Sequence, residues 1–449
     1  MKPFLFRPPF ILMLATGLLA GCATRPIREE RVARDRVAEL ARLRAELPKP
    51  ALAAESALED YLRLALLNHP RIAAAHADWR AAVEDITPAR SLPDPKLTFE
   101  ADIADMLMTL MPGLMFDIMG PGKRAAMGRE AAARADVAYQ TYRAAVLAVA
   151  ADLKKTWADL AYLDAAMALR GEALASLERS LAFTRADYAT GKGMGTLEDQ
   201  VNVGTEIERI RVITANLADQ RDAARSRLKS ALGLRREDPS PLWPTRFSPS
   251  AAPADDDTLW AQVLATNPDL ESMRAMVGMA VAEVAVARKS RVPDFGFGGM
   301  VDLKADPLMV RPQAEMTLPI WRDKIAATIA AAEQRREAAA ARLDAEQIML
   351  AAELAQMTYM LREADRMIAF VDATALPGIE RALASAQAGY QSGMASLTTV
   401  PTLELMALDM RLEKAAALRE RERVLADLSV LVVGQAPAGA PLLANASSR

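Results

Sequence analysis

Cysteine is almost absent from this chain of 449 residues, which contains only Cys22. A single cysteine excludes an internal disulfide. Histidine is equally scarce: His69 and His76 are predicted to lie on one face of an N-terminal helix, where no acidic or cysteine partner completes a metal site. A polar or helix-capping role is the better interpretation of both. With a net charge of −3, 5% aromatic residues and no basic patch, the composition does not suggest a nucleic-acid partner.

Long apolar segments are missing as well, apart from one near the start. Beyond it no segment is long and apolar enough for a transmembrane helix, so any membrane crossing must use strands. The apolar run at 10–19 follows two basic residues and predicts a secretory signal over residues 1–21. The Leu-Ala-Gly before Cys22 resembles the lipobox of bacterial lipoproteins, in which this cysteine becomes the lipidated first residue. Ala23, rather than an aspartate, favours the outer membrane; an ordinary signal peptide with an incidental cysteine is the alternative.

The chain is a tandem duplication. Four short motifs occur twice in the same order, about 200 residues apart. They begin at Asn68, Leu92, Tyr188 and Ala231 in the first half and at Asn267, Val292, Tyr390 and Val432 in the second. We therefore predict a charged N-terminal segment at 22–56, a first repeat at 57–237, a linker at 238–257, a second repeat at 258–434 and a disordered tail at 435–449.

A long helical hairpin is predicted in each repeat. No proline interrupts residues 122–238, and the composition is rich in Ala, Leu, Arg and Glu, which favour helix. Apolar residues spaced three and four apart form a seam of coiled-coil type: Val146, Val149, Leu153, Trp157, Leu160, Leu163 and Met167. The first arm, 123–190, would be about 100 Å long. The second hairpin is predicted at 321–391 and 396–433, with a bend at Pro377.

Before each hairpin the apolar period changes to strict alternation, which is typical of strands. Alternating segments occur at 96–102, 114–118, 295–303 and 314–318. Each has carboxylates on its polar side, namely Glu100, Asp102, Asp117, Asp302 and Glu315. One apolar and one acidic face is what a membrane barrel strand requires; a half-buried sheet in a soluble domain is the alternative. Four strands cannot close a barrel, so the barrel interpretation requires several copies of the chain.

The lipobox, the duplicated strand pairs, the duplicated hairpins and the Tyr-x-x-Gly turns together resemble the TolC family of outer-membrane efflux proteins. The turn Gly120-Pro-Gly-Lys-Arg124 is similar to one in the heavy-metal branch, the CusC- and CzcC-like members. The resemblance implies a mainly α fold with transmembrane β-strands, in which a homotrimer forms one twelve-stranded barrel and one α-helical periplasmic tunnel. It also implies a lipid-anchored outer-membrane channel with no enzyme activity and no cofactor.

The resemblance further implies three kinds of partner: a periplasmic adaptor, an inner-membrane pump of the RND type, and outer-membrane lipid. Docking to the adaptor is implied at the hairpin tips, where the candidate residues are Gly191, Gly193, Glu198, Asp199, Gly393, Thr399 and Thr402. The second tip departs from the family, because Thr399 to Thr402 stand where aspartates often constrict the tunnel. The charged helical segment at 25–47 is a second departure, since a shorter extended arm is expected there.

The predicted function is passive conduction of metal cations such as copper or silver out of the cell. Rings of carboxylates inside the barrel favour cations. The alternative is that these charges only keep the inner wall of the barrel hydrated. Met106, Met108 and Met111 form a hypothetical soft-metal site, because thioethers suit Cu(I) and Ag(I); apolar packing is the other interpretation. Export of organic drugs or of a secreted polypeptide, and a coiled-coil envelope lipoprotein without a channel, remain alternative functions.

Overall fold

The computed structural model describes residues 26–103, 107–190, 196–251, 253, 255–303, 309–391 and 399–432. The chain divides into two compact units. We call residues 1–42, 75–142 and 271–344 the sheet unit, and residues 43–74, 143–270 and 345–449 the helical unit. Each unit therefore gathers segments from both halves of the sequence.

The order of helices and strands repeats along the chain. Up to residue 231 the elements are α1 (Arg28–Glu46), α2 (Leu58–Asn68), α3 (Pro70–Glu84), α4 (Ile86–Arg90), β1 (Lys96–Ile103), β2 (Leu107–Ile118), α5 (Lys123–Thr190) and α6 (Leu197–Ala231). They are followed by α7 (Asp256–Thr266), α8 (Pro268–Lys289), β3 (Phe295–Asp302), β4 (Met309–Met316), α9 (Arg322–Phe370), a π-helical turn (Val371–Ala375), α10 (Leu376–Gln391) and α11 (Thr399–Leu431). Each half thus presents short helices, a strand pair and a long hairpin, as the duplicated motifs predict.

The four strands form one antiparallel sheet in the order β1-β2-β3-β4. Strand β2 of the first repeat pairs with β3 of the second, and β1 and β4 are the edges. The sequence predicts return strands at 114–118 and 314–318, but β2 begins at Leu107 and β4 spans Met309–Met316. Both expected strands were therefore too short at their start. The reason is that each contains a proline, Pro112 or Pro312, and proline is ordinarily excluded from strand interiors.

Two of the repeated motifs meet at helix ends in the helical unit. The side-chain oxygen of Asn267 accepts two backbone N–H groups from the first turn of α8, at 2.9 and 3.0 Å, and its amide nitrogen donates to the carbonyl of Leu431 at 3.0 Å. His69 holds the same place before α3, where its Nδ1 accepts the N–H of Arg71 at 3.2 Å. Gly233 has a φ of 73°, and a Cβ there would lie 2.6 Å from the Cα of His69. These motifs recur because they cap helices and allow close backbone approach.

The two hairpins share one pattern of buried residues. Val149, Leu153, Trp157, Leu160 and Leu163 are buried on α5, and so are their counterparts on α9, Leu350, Leu354, Thr358, Leu361 and Ala364. Each counterpart lies 201 residues later, whereas Tyr188 and Tyr390, near the tips, are 202 apart. The π-helical turn takes up the additional residue, because its i→i+5 geometry holds one more residue per turn. The sequence predicts an irregularity at Pro377, and the π turn ends two residues before it.

Helix α1 carries a buried charge in the sheet unit. The carboxylate of Glu30 is 1% exposed and accepts hydrogen bonds from both Nε and Nη2 of Arg90, from Arg34 at 3.2 Å and from Thr87 at 2.9 Å. Burial raises the pKa of Glu30, but these hydrogen bonds outweigh it and hold the pKa below its ordinary value. Because Thr87 and Arg90 belong to α4, the cluster fastens α1 to α4.

Candidate functional site

The strand register gives the sheet one polar face. Residues opposite one another across two strands share a face, and Glu100 pairs with Met111, Gly296 with both Asp117 and Glu315, and Asp302 with Met309. Following this register, the strand positions of all five predicted acidic residues fall on the same face, which we call the polar face. It also carries Lys96, Thr98, Thr109, Met111, Met115, Met300, Met309, Arg311 and Gln313.

The opposite face, which we call the apolar face, is uncovered. Its exposed large side chains are Leu97, Phe99, Leu110, Leu114, Phe116, Ile118, Phe297, Val310 and Met316. Leu97 and Phe99 are each 64% exposed. A water-soluble protein rarely leaves a contiguous apolar patch of this extent open. The apolar face therefore requires a covering that is itself apolar.

Among the residues that the structure describes, two ion pairs join neighbouring strands on the polar face. Nζ of Lys96 is 2.7 Å from Oδ2 of Asp117, and Nη2 of Arg311 is 3.3 Å from Oδ2 of Asp302. Glu100 and Glu315 are exposed. Five acidic positions against two basic ones leave a net charge of −3 on the polar face of the described strands. Such a surface concentrates cations in front of it.

Sequence reasoning missed Arg311. The expected start of the strand, at residue 314, lies after it, so the arginine did not count toward the polar side. The signal was nevertheless present, because polar-face positions alternate from Met309 through Arg311 and Gln313 to Glu315. The arginine adds one positive charge to the polar face beside that of Lys96.

Three methionines form a strip on the polar face. Met300 lies directly opposite Gly113, and Met115 lies directly opposite Gly298. A Cβ added at Gly113 would collide with Cγ of Met300, and one at Gly298 would lie 3.0 Å from Sδ of Met115. Met111 continues the strip on β2 two residues before Gly113. The two glycines thus provide the space in which neighbouring thioethers lie across β2 and β3.

The predicted soft-metal site is only partly described. Met106 lies outside the described residues. Met108 has no residue directly opposite it, because the register of β1 and β2 shifts between Asp102 and Ile103. Met108 and Met111 both lie within β2, which begins at Leu107. In the described part of the chain, no group of three or more His, Cys, Asp or Glu residues could hold a metal ion.

The two histidines do not share a helix, contrary to expectation. Helix α2 ends one residue before His69, and α3 begins one residue after it, at Pro70, because proline suits the first position of a new helix. Burial, and then the charge of Arg71, lower the pKa of His69. The His76 ring lies 5.9 Å from the Trp79 ring, centroid to centroid. His69 therefore caps the start of α3, and His76 packs against an aromatic ring.

The predicted tip residues are described only in part. Cys22, Gly191, Gly193 and Gly393 lie outside the described residues, and Asp199 is described only as part of α6. Glu198 is exposed in the first turn of α6, and Thr399 and Thr402 are exposed in the first turn of α11. Their part in docking stays a prediction.

The sheet joins the helices through Asp294. Its carboxylate accepts the backbone N–H of Gly120 at 2.8 Å and a hydrogen bond from Nζ of Lys123 at 2.7 Å. Burial raises the pKa of Asp294, but these two hydrogen bonds outweigh it and lower the pKa below its usual value. The junction holds the end of β2 and the start of α5 beside the start of β3, and so connects the two repeats.

Comparison with known proteins identifies the family. None of the helices among the described residues is both long and apolar enough to cross a bilayer. A family model described as outer membrane efflux protein matches residues 61–234 and again residues 259–432. The chain belongs to the outer membrane efflux protein family. No individually curated protein matches the chain significantly.

Solved structures of outer membrane channels share the fold. CusC, whose crystal structures are described in terms of transmembrane channel formation, is 16% identical with a TM-score of 0.72, and the match covers 87% of this chain and 95% of CusC. The outer-membrane channel OprN is 15% identical with a TM-score of 0.72, over 87% of this chain and 98% of OprN. The outer membrane protein VceC of Vibrio cholerae is 18% identical with a TM-score of 0.67, and the match covers 83% of this chain and 94% of VceC.

Membership of the outer membrane efflux protein family distinguishes between the channel and the non-channel functions that the sequence left open. Outer membrane efflux proteins are passive channels of tripartite systems, so this protein is a channel and not an enzyme. It works in the outer membrane with a periplasmic adaptor and an inner-membrane pump. The alternative of a coiled-coil envelope lipoprotein without a channel is thereby removed. The identities are too low for the similarity to assign a cargo.

Proposed function

We propose that this outer membrane efflux protein forms a homotrimeric, lipid-anchored channel that conducts metal cations such as copper or silver out of the cell. The two-faced sheet carries the proposal, since lipid suits the apolar face and water suits the polar face. In lipid, the edges β1 and β4 would leave backbone groups unpaired at a cost of several kcal/mol each. Three copies with four strands each close one twelve-stranded barrel and leave no edge.

The polar face supports cations as the cargo class. In a closed trimer, each of its acidic positions is repeated around the pore axis as a ring of three. Rings of carboxylates lower the energy of a cation inside a pore and raise that of an anion. Lys96 and Arg311 neutralise only part of this charge, because five acidic positions face two basic ones.

The methionine strip supports soft cations in particular. Met111, Met115 and Met300 place three thioethers on the wall of the proposed pore, and thioethers bind Cu(I) and Ag(I) in preference to hard cations. This strip, rather than the set of Met106, Met108 and Met111, is the place to test. Packing over Gly113 and Gly298 is the competing role, since methionine is an adaptable filler.

Replacing Met111, Met115 and Met300 together with leucine tests the soft-metal function. Leucine keeps the volume and removes the thioether, so we expect weaker tolerance of silver and copper and at least about tenfold weaker Ag(I) binding, which corresponds to about 1.4 kcal/mol. Growth across graded metal and isothermal titration of the purified protein measure the two effects. Met316→Leu, on the apolar face, is the matched control. Unchanged metal tolerance, with a deletion strain sensitive only to organic antibiotics, would instead support drug export.

The position of α1 supports the lipid anchor. Ile27, the residue before α1, lies against the start of α5: a Cβ added at Gly128 would be 3.3 Å from Cδ1 of Ile27. Gly128 is five residues into α5, roughly 8 Å along the helix axis from Lys123. Cys22 precedes Ile27 by five residues, a reach of about 17 Å. A chain of this length is long enough for an acyl group on Cys22 to reach the sheet-proximal end of α5.

Mass spectrometry of the mature protein tests the anchor. We expect the N-terminal peptide to begin at Cys22 and to carry acyl mass, and we expect Cys22→Ser to lack that mass. We also expect the variant to retain the wild-type melting temperature, which separates the loss of acylation from misfolding. Ala23→Ser serves as the control and should remain acylated. A peptide that begins at another residue, or an unmodified Cys22, would contradict the lipoprotein assignment.

A further inference from the structure

A cleft lies between α5, α11 and residues 245–251, which belong to the linker between the two repeats. Its volume is about 610 Å³, which is within the range of small-molecule sites in proteins. All of its lining residues belong to the helical unit. The lining is mostly apolar and includes the aromatic side chains of Trp157, Tyr162 and Phe247. We call this cavity the linker cleft.

The aromatic rings of the linker cleft are held in place by contacts with other rings and with a cation. The Trp157 ring is 5.2 Å from the Phe247 ring and 4.9 Å from the Tyr61 ring, centroid to centroid, and both neighbours meet it edge-on. The guanidinium carbon of Arg419 is 4.4 Å from the centre of the Tyr162 ring. Fixed rings beside apolar side chains suit a planar aromatic ligand, because they pack against it with little loss of side-chain entropy.

Two cationic side chains reach the linker cleft with hydrogen-bond donors to spare. Nζ of Lys154 has three donors, and in the described part of the chain its acceptor is Oγ of Ser429, at 3.0 Å. Nε of Arg419 is buried and has no hydrogen-bond partner among the described residues. Burial lowers the pKa of Lys154, and the carboxylate of Glu422 offsets this only in part. An anion in the cleft would therefore stabilise both cations.

The carboxylates of the linker cleft are already engaged. Glu422 accepts hydrogen bonds from the backbone N–H and the hydroxyl of Ser250, and from Nη1 of Arg421 at 3.0 Å. The carboxylate of Asp164 lies 3.8 Å from Nη1 of Arg221. Arg421 and Arg221 do not line the cleft, so each neutralises a lining carboxylate from outside. The two cations of the lining are thus left to a ligand, and they favour an anionic one.

The equivalent place in the second repeat has a different lining. Three residues that line the linker cleft have counterparts there, each 201 residues later: Leu58, Trp157 and Asp164 correspond to Leu259, Thr358 and Asp365. That place is lined by aspartates, and its one arginine, Arg362, pairs with Asp256. Where α5 has the alanines 158, 161 and 165, α9 has a tyrosine and two arginines. The rings, cations and small residues of the linker cleft are therefore not needed to build this part of a repeat.

We propose that the linker cleft binds a small organic anion with an aromatic ring system, such as an aryl carboxylate. The acidic group binds Lys154 and Ser429 at one end of the cleft, and the rings lie over the alanines of α5. Lys154 and Tyr162 are eight residues apart, about 12 Å along the helix, which leaves space for two fused rings and a carboxylate. The site is formed by a single copy of the chain, so the inference depends neither on the proposed trimer nor on the proposed cargo.

Titration with 2-naphthoate tests this site. The full-length protein, purified in detergent, is titrated in a calorimeter, and we expect saturable binding of one ligand per chain. Lys154→Met keeps the length of the side chain and removes the ammonium group, so it should weaken binding at least about tenfold, since a hydrogen bond to a charged group is lost. The neutral alcohol 2-naphthylmethanol should bind the wild-type protein more weakly than 2-naphthoate by a similar factor.

Matched variants separate the cleft from the rest of the protein. Lys155→Met removes the neighbouring ammonium group, which does not line the cleft, and should leave the affinity unchanged. Ala165→Trp fills the cleft and should abolish binding, whereas Ala168→Trp, exposed on the same helix outside the cleft, should bind as the wild type does and so accounts for partition into detergent.

The melting temperature and the native mass of each variant show that it is folded. Three results would each overturn the proposal: no saturable binding by the wild-type protein, equal affinity for the acid and the alcohol, or binding that survives Ala165→Trp. The last two comparisons do not involve Lys154, so they decide the question even where Lys154→Met fails to fold.

Discussion

Neutralising the carboxylates of the polar face is expected to turn a cation-preferring channel into an anion-preferring one. Amide replacements at Glu100, Asp102, Asp117, Asp302 and Glu315 change the net charge of this face from −3 to +2 per chain, because Lys96 and Arg311 remain. The potential in a narrow pore follows the charge on its wall. The reversal potential across a planar bilayer, measured under a potassium chloride gradient, should therefore change sign.

Two further variants make the selectivity result decisive. Lys96→Met with Arg311→Met leaves five acidic and no basic positions on the polar face, so cation preference should rise rather than fall. Glu29→Gln with Glu39→Gln removes exposed carboxylates from α1, away from the strands, and should leave the reversal potential as it was. If the amide variant conducts with an unchanged reversal potential, the polar face does not set the selectivity of the pore.

Replacing Glu30 with alanine should detach α1 from α4. The substitution leaves the guanidinium of Arg90 buried without its carboxylate, and breaking a buried pair in this way costs about 3–5 kcal/mol. When opening and closing are fast, cleavage tracks the population of the open form, so limited proteolysis within α1 should accelerate by at least about 100-fold. Cleavage products identified by mass spectrometry measure the effect.

The matched control for Glu30 is its neighbour. Glu29→Ala removes an exposed carboxylate from the same turn and should change proteolysis little, because surface substitutions usually stay within about 0.5 kcal/mol. Glu30→Leu with Arg90→Leu removes both charges and should recover most of the protection. Equal protection of α1 in wild type and Glu30→Ala would mean that the ion pair does not hold the helix.

The hydrogen bonds of Glu30 also make the stability of the contact between α1 and α4 depend on pH. Hydrogen bonds hold the pKa of Glu30 below the value of an unfolded glutamate, so its contribution to stability is fully present above that unfolded value. The contribution is lost as the pH falls through the lowered pKa of the folded state. Protection of α1 should therefore weaken in acid in the wild-type protein, and the double leucine variant should lack this acid-dependent part.

Local patterns determined how much of the fold could be predicted from sequence. Strand faces followed from strict alternation, which is set by backbone geometry alone. The bounds of α5 were predicted at Lys123 and Thr190 because a Pro-Gly turn precedes the helix and glycines follow it. The starts of β2 and β4 were not predicted, since Pro112 and Pro312 lie where ladder hydrogen bonds ordinarily exclude proline.

Long-range contacts account for what the sequence could not reveal. Glu30 and Arg90 are 60 residues apart and belong to no common periodic pattern, so nothing local distinguishes this pair from surface charges. The methionine strip likewise depends on register, because Met115 and Met300 become neighbours only when β2 pairs with β3. Met106 and Met108, by contrast, were predicted to share a metal site because they are close in sequence. Closeness in sequence does not make two residues neighbours on a sheet.

The pairing of β2 with β3 also bears on how copies of the chain assemble, because it joins the first repeat to the second. Since both strands belong to one polypeptide, they meet at an effective concentration set by the connecting chain, with no encounter between molecules. This contact is thus formed before any two copies collide. Contacts between copies at the edges β1 and β4 must wait for bimolecular encounters, and the apolar face stays uncovered in the meantime. Duplication within one gene product thereby shortens the period in which such surfaces are available for aggregation.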